Sequence, residues 1–129
     1  MNRILALLVA TLILAGCMPN QPLYNVDNHP IPAAARDLPV DRIGALIIEA
    51  GQKRNWTFEQ TGTGHLVATQ ADPKYTAVVD IYFDQQSYRI MKKSTTGFSD
   101  RNGWISRRYN NWVHYLEGDI EERLSTAAS

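Results

Sequence analysis

Apolar residues at Ile43, Leu46, Ile47 and Ala50 recur at three- and four-residue steps, which lays one apolar stripe along an α-helix. The spacing predicts a helix over residues 40–54. Gly44 and Gly51 fall on nearly one side of it, where each costs ~0.5–1 kcal/mol relative to alanine. A close approach of another backbone, or a solvent-facing location, would account for them. Four shorter segments with strand character follow. Residues 56–61 and 65–70 flank Gly62-Thr63-Gly64; Ala71-Asp72-Pro73-Lys74 leads to 76–83, and Gln85-Gln86 separates that from 87–93. In the third segment Ala77, Val79, Ile81 and Phe83 take one side while Val78, Asp80 and Tyr82 take the other. A short connection to the fourth segment sets Ile81 opposite Ile90, Phe83 opposite Tyr88 and Tyr82 opposite Arg89. Residues 94–103 are polar and read as a loop. A second helix is expected from near Trp104, with Ile105, Tyr109, Trp112, Val113, Leu116 and Ile120 on a face about 100° wide. The order helix, four strands, helix predicts an α+β fold, a two-layer sandwich whose four-stranded antiparallel meander carries both helices on one face. Val79, Ile81, Trp112 and Leu116, each central in its apolar face, are the expected core.

The start of the chain follows another pattern. Met1, Asn2 and Arg3 precede an apolar run from Ile4 to Ala15 that only Thr11 interrupts. The run is well short of the ~20 residues that cross a membrane, so it reads as an export signal. It ends in Leu14-Ala15-Gly16-Cys17, which resembles the lipobox of bacterial lipoproteins. That resemblance implies removal of residues 1–16, diacylglycerol on the Cys17 sulfur and acylation of the new amino group. Position 18 is Met rather than the Asp that marks inner-membrane retention in enteric members of that family, which implies the periplasmic face of the outer membrane. The chain has 1 Cys, so an internal disulfide framework and a Cys-rich zinc site are excluded.

Pro19, Pro22, Pro30, Pro32 and Pro39 crowd the next stretch, which shows no sustained helical or alternating pattern. Residues 17–39 therefore read as a Pro-rich tether, up to ~70 Å long if wholly extended. Leu23, Tyr24, Val26 and Ile31 are more apolar than a spacer requires; they either lie along the domain as an extra edge or sit loose in the arm. A single domain over 40–124 and a flexible tail over 125–129 complete the expected organisation. Arg54-Asn55-Trp56, Ala77-Val78-Val79-Asp80-Ile81 and Tyr109-Asn110-Asn111-Trp112-Val113 also resemble segments of small proteobacterial lipoproteins, a likeness that implies no activity.

Charge refines the picture. With 13 basic and 13 acidic side chains the chain is formally neutral, which speaks against nucleic acid as a partner. The neutrality is uneven: Arg89, Lys92, Lys93, Arg101, Arg107 and Arg108 cluster in one stretch, whereas Glu117, Asp119, Glu121 and Glu122 follow later in the second helix. That helix thus starts basic and ends acidic, the reverse of what its dipole favours. Arg89, Lys92, Lys93, Arg107 and Arg108 are accordingly the candidate anion- or partner-binding residues, suited to lipid phosphates, peptidoglycan carboxylates or an acidic envelope protein. Internal neutralisation, with the basic fourth strand facing the acidic helix end, is the competing explanation.

Catalytic motifs are weak. His29, His65 and His114 show no metal-ligand spacing, and His114 lies off the core stripe, as a solvated histidine would. No nucleophile-elbow pattern precedes Ser87 or Ser99, and Asp80 is better placed as a partner of Lys93 and Arg89 in a surface charge ladder. Gly62-Thr63-Gly64 lacks the lysine of a phosphate loop. No catalytic residue, metal or cofactor is assigned beyond covalent lipid on Cys17. The leading expectation is a non-enzymatic, lipid-anchored outer-membrane protein with an interaction or envelope-assembly role. A small-ligand or glycan-binding lipoprotein using Trp56, Trp104 and Tyr82 is second, and a small hydrolase third.

Overall fold

The computed structural model describes residues 20–127. Its strands are β1 (Asn20–Pro22), β2 (Val26–Pro30), β3 (Thr57–Gly62), β4 (His65–Ala71), β5 (Thr76–Phe83), β6 (Ser87–Thr96), β7 (Asp100–Arg101) and β8 (Trp104–Ser106). The helices are α1 (Val40–Gln52) and α2 (Arg107–Ser125), and a 3-10 turn spans Ala33–Ala35. The fold is α+β with antiparallel sheets, as the patterning predicts. The expected four-stranded meander between two helices is corrected. β3 to β6 belong to a five-stranded sheet ordered β2-β6-β5-β4-β3, and β1, β8 and β7 form a second sheet of three strands.

The Pro-rich segment supplies the difference. Proline cannot donate to a ladder, so within sheets it is confined to edge strands. Pro22 ends β1 and Pro30 ends β2, each strand at the edge of its sheet. The same residues that suggested a tether therefore suit an edge. Val26 pairs with Ile90, Ile31 is fully buried, and the Ile31 amide donates to the Gln86 carbonyl at 2.8 Å. Asn110, only 3% exposed, fastens the segment from below: its amide donates to the Pro22 carbonyl at 2.9 Å, and its oxygen accepts from the Tyr24 amide at 3.0 Å. Residues 20–39 are thus part of the folded body. At the other end, Ser125 closes α2 and Ala127 packs against the core, so residues 125–127, expected in a flexible tail, belong to the folded body, and 128–129 lie outside the described residues.

The main sheet keeps its predicted register. Ile81 opposes Ile90, Phe83 opposes Tyr88 and Tyr82 opposes Arg89. Side chains alternate along β5, so that Ala77, Val79, Ile81 and Phe83 are buried on the helical side. Ile43, Leu46 and Ile47 of α1 and Tyr109, Val113, Leu116 and Ile120 of α2 close that core. Trp112 is a correction: it is half-buried at the margin, edge-on to Phe98 at 5.1 Å. Gly44 and Gly51 are buried, and aromatic rings rather than backbone explain them. A Cβ on Gly44 would stand 2.8 Å from Phe83 Cζ, and one on Gly51 would collide with the Phe58 ring.

α2 begins at Arg107, later than expected. Trp104–Ser106 is drawn into β8 because Pro22, Gln21 and Asn20 pair with Trp104, Ile105 and Ser106. Ile105, one of the apolar residues assigned to the helix face, reaches the core from that strand instead.

Candidate functional site

Three surface features carry chemistry. The first is the acidic half of α2. His29 Nδ1 faces Glu117 Oε2 at 2.7 Å and His29 Nε2 faces Glu121 Oε2 at 2.8 Å, a geometry that uses both ring nitrogens as donors and so favours the imidazolium. Burial works against that charge, yet the hydrogen bonds to Glu117 and Glu121 and their negative charges prevail, and the His29 pKa is raised above its ordinary value. Tyr24 donates to Glu117 Oε1 at 2.5 Å, and its own pKa is pushed up to about 12 by burial and by that carboxylate. Arg54 Nε donates to Asp119 at 2.7 Å, with Lys53 Nζ between Asp119 and Glu122 at 3.8 Å from each. The cations that neutralise this end come from the C-terminus of α1 and from β2. The fourth predicted strand does not supply them.

The second feature is the face of the main sheet turned away from the helices. There His65 Nε2 donates to Asp80 Oδ1 at 2.8 Å, the Thr61 hydroxyl hydrogen-bonds His65 Nδ1, and Tyr82 stacks on the imidazole at 4.4 Å. Arg89 lies over the Tyr82 ring at 4.8 Å, and Lys93 stands 3.9 Å from Asp80. The hydroxyl–imidazole–carboxylate sequence has the composition of an acid–base relay, but here it stitches β3, β4 and β5 together across an open sheet surface. Gly64, Tyr82, Phe83, Asp84, Ser87 and Arg89 line a shallow cleft beside it.

The third feature is the outward face of the small sheet. Arg101 pairs with Trp104, and Trp104 pairs with Pro22, so their side chains share that face. Trp104 is 53% exposed. Asn20 donates to the Ser99 hydroxyl at 3.1 Å along the same rim.

The five predicted basic residues do not converge. Arg89 and Lys93 lie on the open sheet face. Plain alternation from Ile90 sets Lys92 opposite Val79 on the other face, ahead of the bulge at Lys93, and its ammonium meets Asp100 at 2.7 and 2.8 Å and holds that carboxyl below its ordinary pKa. Arg108 lies over the Tyr75 ring at 4.8 Å, and Arg107 is exposed in the first turn of α2. Trp56 is 2% exposed and cannot serve as a ligand platform. His114 is exposed and stacks on Tyr24 at 3.9 Å. Sequence reasoning missed His29 and Asn110. The signal for Asn110 was a short amide beside the apolar stripe of α2, and for His29 the apolar residues flanking it. Among the described residues, no cluster of three or more His, Cys, Asp or Glu could hold a metal ion, and no helix is long and apolar enough to cross a membrane.

Cys17 lies outside the described residues, and comparison with known families addresses it. No curated protein and no solved structure matches the chain, so the likeness to small proteobacterial lipoproteins rests on the quoted segments alone. Residues 1–17 match the family described as the prokaryotic membrane lipoprotein lipid attachment site, and the chain therefore carries the anchor signal of a membrane-bound bacterial lipoprotein, ending at Cys17.

Proposed function

We infer that the protein is held by acylated Cys17 at the periplasmic face of the outer membrane and acts by binding another envelope component, without catalysis. The observation that carries this reading is the attachment site at residues 1–17 joined to a folded body from residue 20. Met18, in the position where Asp marks inner-membrane retention, supports the outer membrane. The open face of the main sheet supports the binding role: Tyr82 is exposed, and Arg89 and Lys93 give it positive charge suited to an acidic envelope protein or to peptidoglycan carboxylates. The shallow cleft beside Tyr82 favours a small ligand or glycan as the second reading, now without Trp56.

Density-gradient fractionation of envelopes tests the location: the wild-type protein should sediment with outer membrane, and Cys17→Ser should leave it. A photo-crosslinking residue at Tyr82, in the full-length protein in cells, tests the binding role. A discrete adduct that disappears with Arg89→Glu is expected, and a Tyr82 position that captures nothing contradicts it.

A further inference from the structure

The acyl chains fix one point of the molecule, and the chain between that point and the folded body is very short. Only Met18 and Pro19 separate Cys17 from β1, so the Asn20 Cα lies at most about 11 Å from the Cys17 Cα even if the intervening chain is fully extended. β1 cannot swing freely, because Asn110 holds its last carbonyl and β8 pairs with it along its length. The body is therefore brought to the lipid surface with the small sheet foremost.

What that sheet presents fits a bilayer interface. Trp104 is half exposed in a strand whose neighbour Ile105 is fully buried, so the indole has been left outside rather than crowded out. Tryptophan suits the headgroup layer, where its ring meets acyl chains and its N–H meets water. Arg101, across the strand from Trp104, makes no ion pair or hydrogen bond among the described residues; the nearby Asp100 carboxylate is taken by Lys92 and Thr95. Arg107 adds a second exposed cation one residue beyond β8. Free guanidinium groups beside an exposed indole match lipid phosphates at an interface.

Resting on the lipid-anchor reading, we propose that the outward face of β1–β8–β7 is a membrane-docking surface, with Trp104 seated in the headgroup layer and Arg101 on lipid phosphates. The protein then lies against its membrane in one orientation. The Tyr82–Arg89 face is carried toward the periplasm: β6 runs from Thr95, which donates to Asp100 beside the small sheet, to Arg89, a length of about 20 Å.

The test uses the full-length acylated protein in vesicles of phosphatidylethanolamine and phosphatidylglycerol, with and without brominated acyl chains that quench indole fluorescence. The Trp104 signal is the difference between wild type and Trp104→Phe, which removes it from the emission of Trp56 and Trp112. That difference should fall about twofold or more in brominated vesicles. Arg101→Glu should reduce the quenching, whereas Arg89→Glu should leave it unchanged. Equal quenching of wild type and Trp104→Phe, with Cys17 shown by mass to be acylated, would overturn the docking surface and leave the anchor standing. An unmodified Cys17 in the same preparation would remove the anchor and the proposal together. Quenching indifferent to Arg101→Glu would overturn the phosphate contact.

Discussion

The two ends of α2 carry opposite charge and are used in opposite ways. At the acidic end every carboxylate has a partner from another part of the chain: Glu117 meets Tyr24 and His29, Asp119 meets Arg54 and Lys53, Glu121 meets His29, and Glu122 meets Lys53. At the basic end Arg108 covers an aromatic ring, while Arg107 and the neighbouring Arg101 have no carboxylate partner among the described residues. The acidic end fastens β2 and the end of α1 onto the helix, so its charges belong to the fold. The basic end adjoins the strand that follows the lipid anchor. Its charges oppose the helix dipole, and only Arg108 finds a contact inside the molecule, over the Tyr75 ring. The reversal of charge along α2 is thus one structural half and one outward-facing half.

Substitutions should separate the halves. Glu117→Ala removes the acceptor of both Tyr24 and His29 at a site only 19% exposed, and should cost about 2–3 kcal/mol in chemical denaturation. A cost near zero would place Glu117 outside the fold's supports. Asp119→Ala should cost less, about 1–2 kcal/mol, because Asp119 is 8% exposed but its partner Arg54 is 45% exposed and can be rehydrated.

The same contrast can be sharpened with pH. His29 has a raised folded-state pKa, so its contribution to stability is fully present below its ordinary value of about 6.5 and is lost as pH rises through the folded value. Denaturation midpoints should therefore fall on going from slightly acid to slightly alkaline buffer, and His29→Gln should flatten that dependence. A variant that kept the full slope would assign it to another group.

The smallest effect belongs to the basic end. Arg107→Glu should stabilise the domain by a few tenths of a kcal/mol, since a carboxylate suits the first turn of a helix. Thermal melting that showed a clear loss instead would mean that Arg107 has a structural partner.

The sequence revealed what depends on local periodicity and hid what depends on distant pairing. The α1 stripe and the register of Ile81 on Ile90 follow from repeats within or next to one segment. The small sheet does not, because Pro22 and Trp104 find each other across the whole domain and neither segment alternates long enough to announce a strand. Pro22 and Pro30 then disguised two edge strands as a spacer. In the candidate surfaces, alternation in β6 already put Arg89 and Lys93 on one face and Lys92 on the other, but Asp100, which takes the Lys92 ammonium, came within reach only through the fold of β7. Arg101 and Trp104 were visible as residues and became a pair only once β7 and β8 closed.

The most direct measurement is the intact mass of the protein extracted from bacterial membranes. A chain beginning at Cys17 and bearing both the diacylglycerol and the amide-linked acyl mass is the expected result, because residues 1–17 match a lipid attachment site. A membrane-extracted chain that retains residues 1–16, or that carries a free Cys17 thiol, would contradict the anchor, and with it the orientation that places Trp104 at the membrane and Tyr82 away from it.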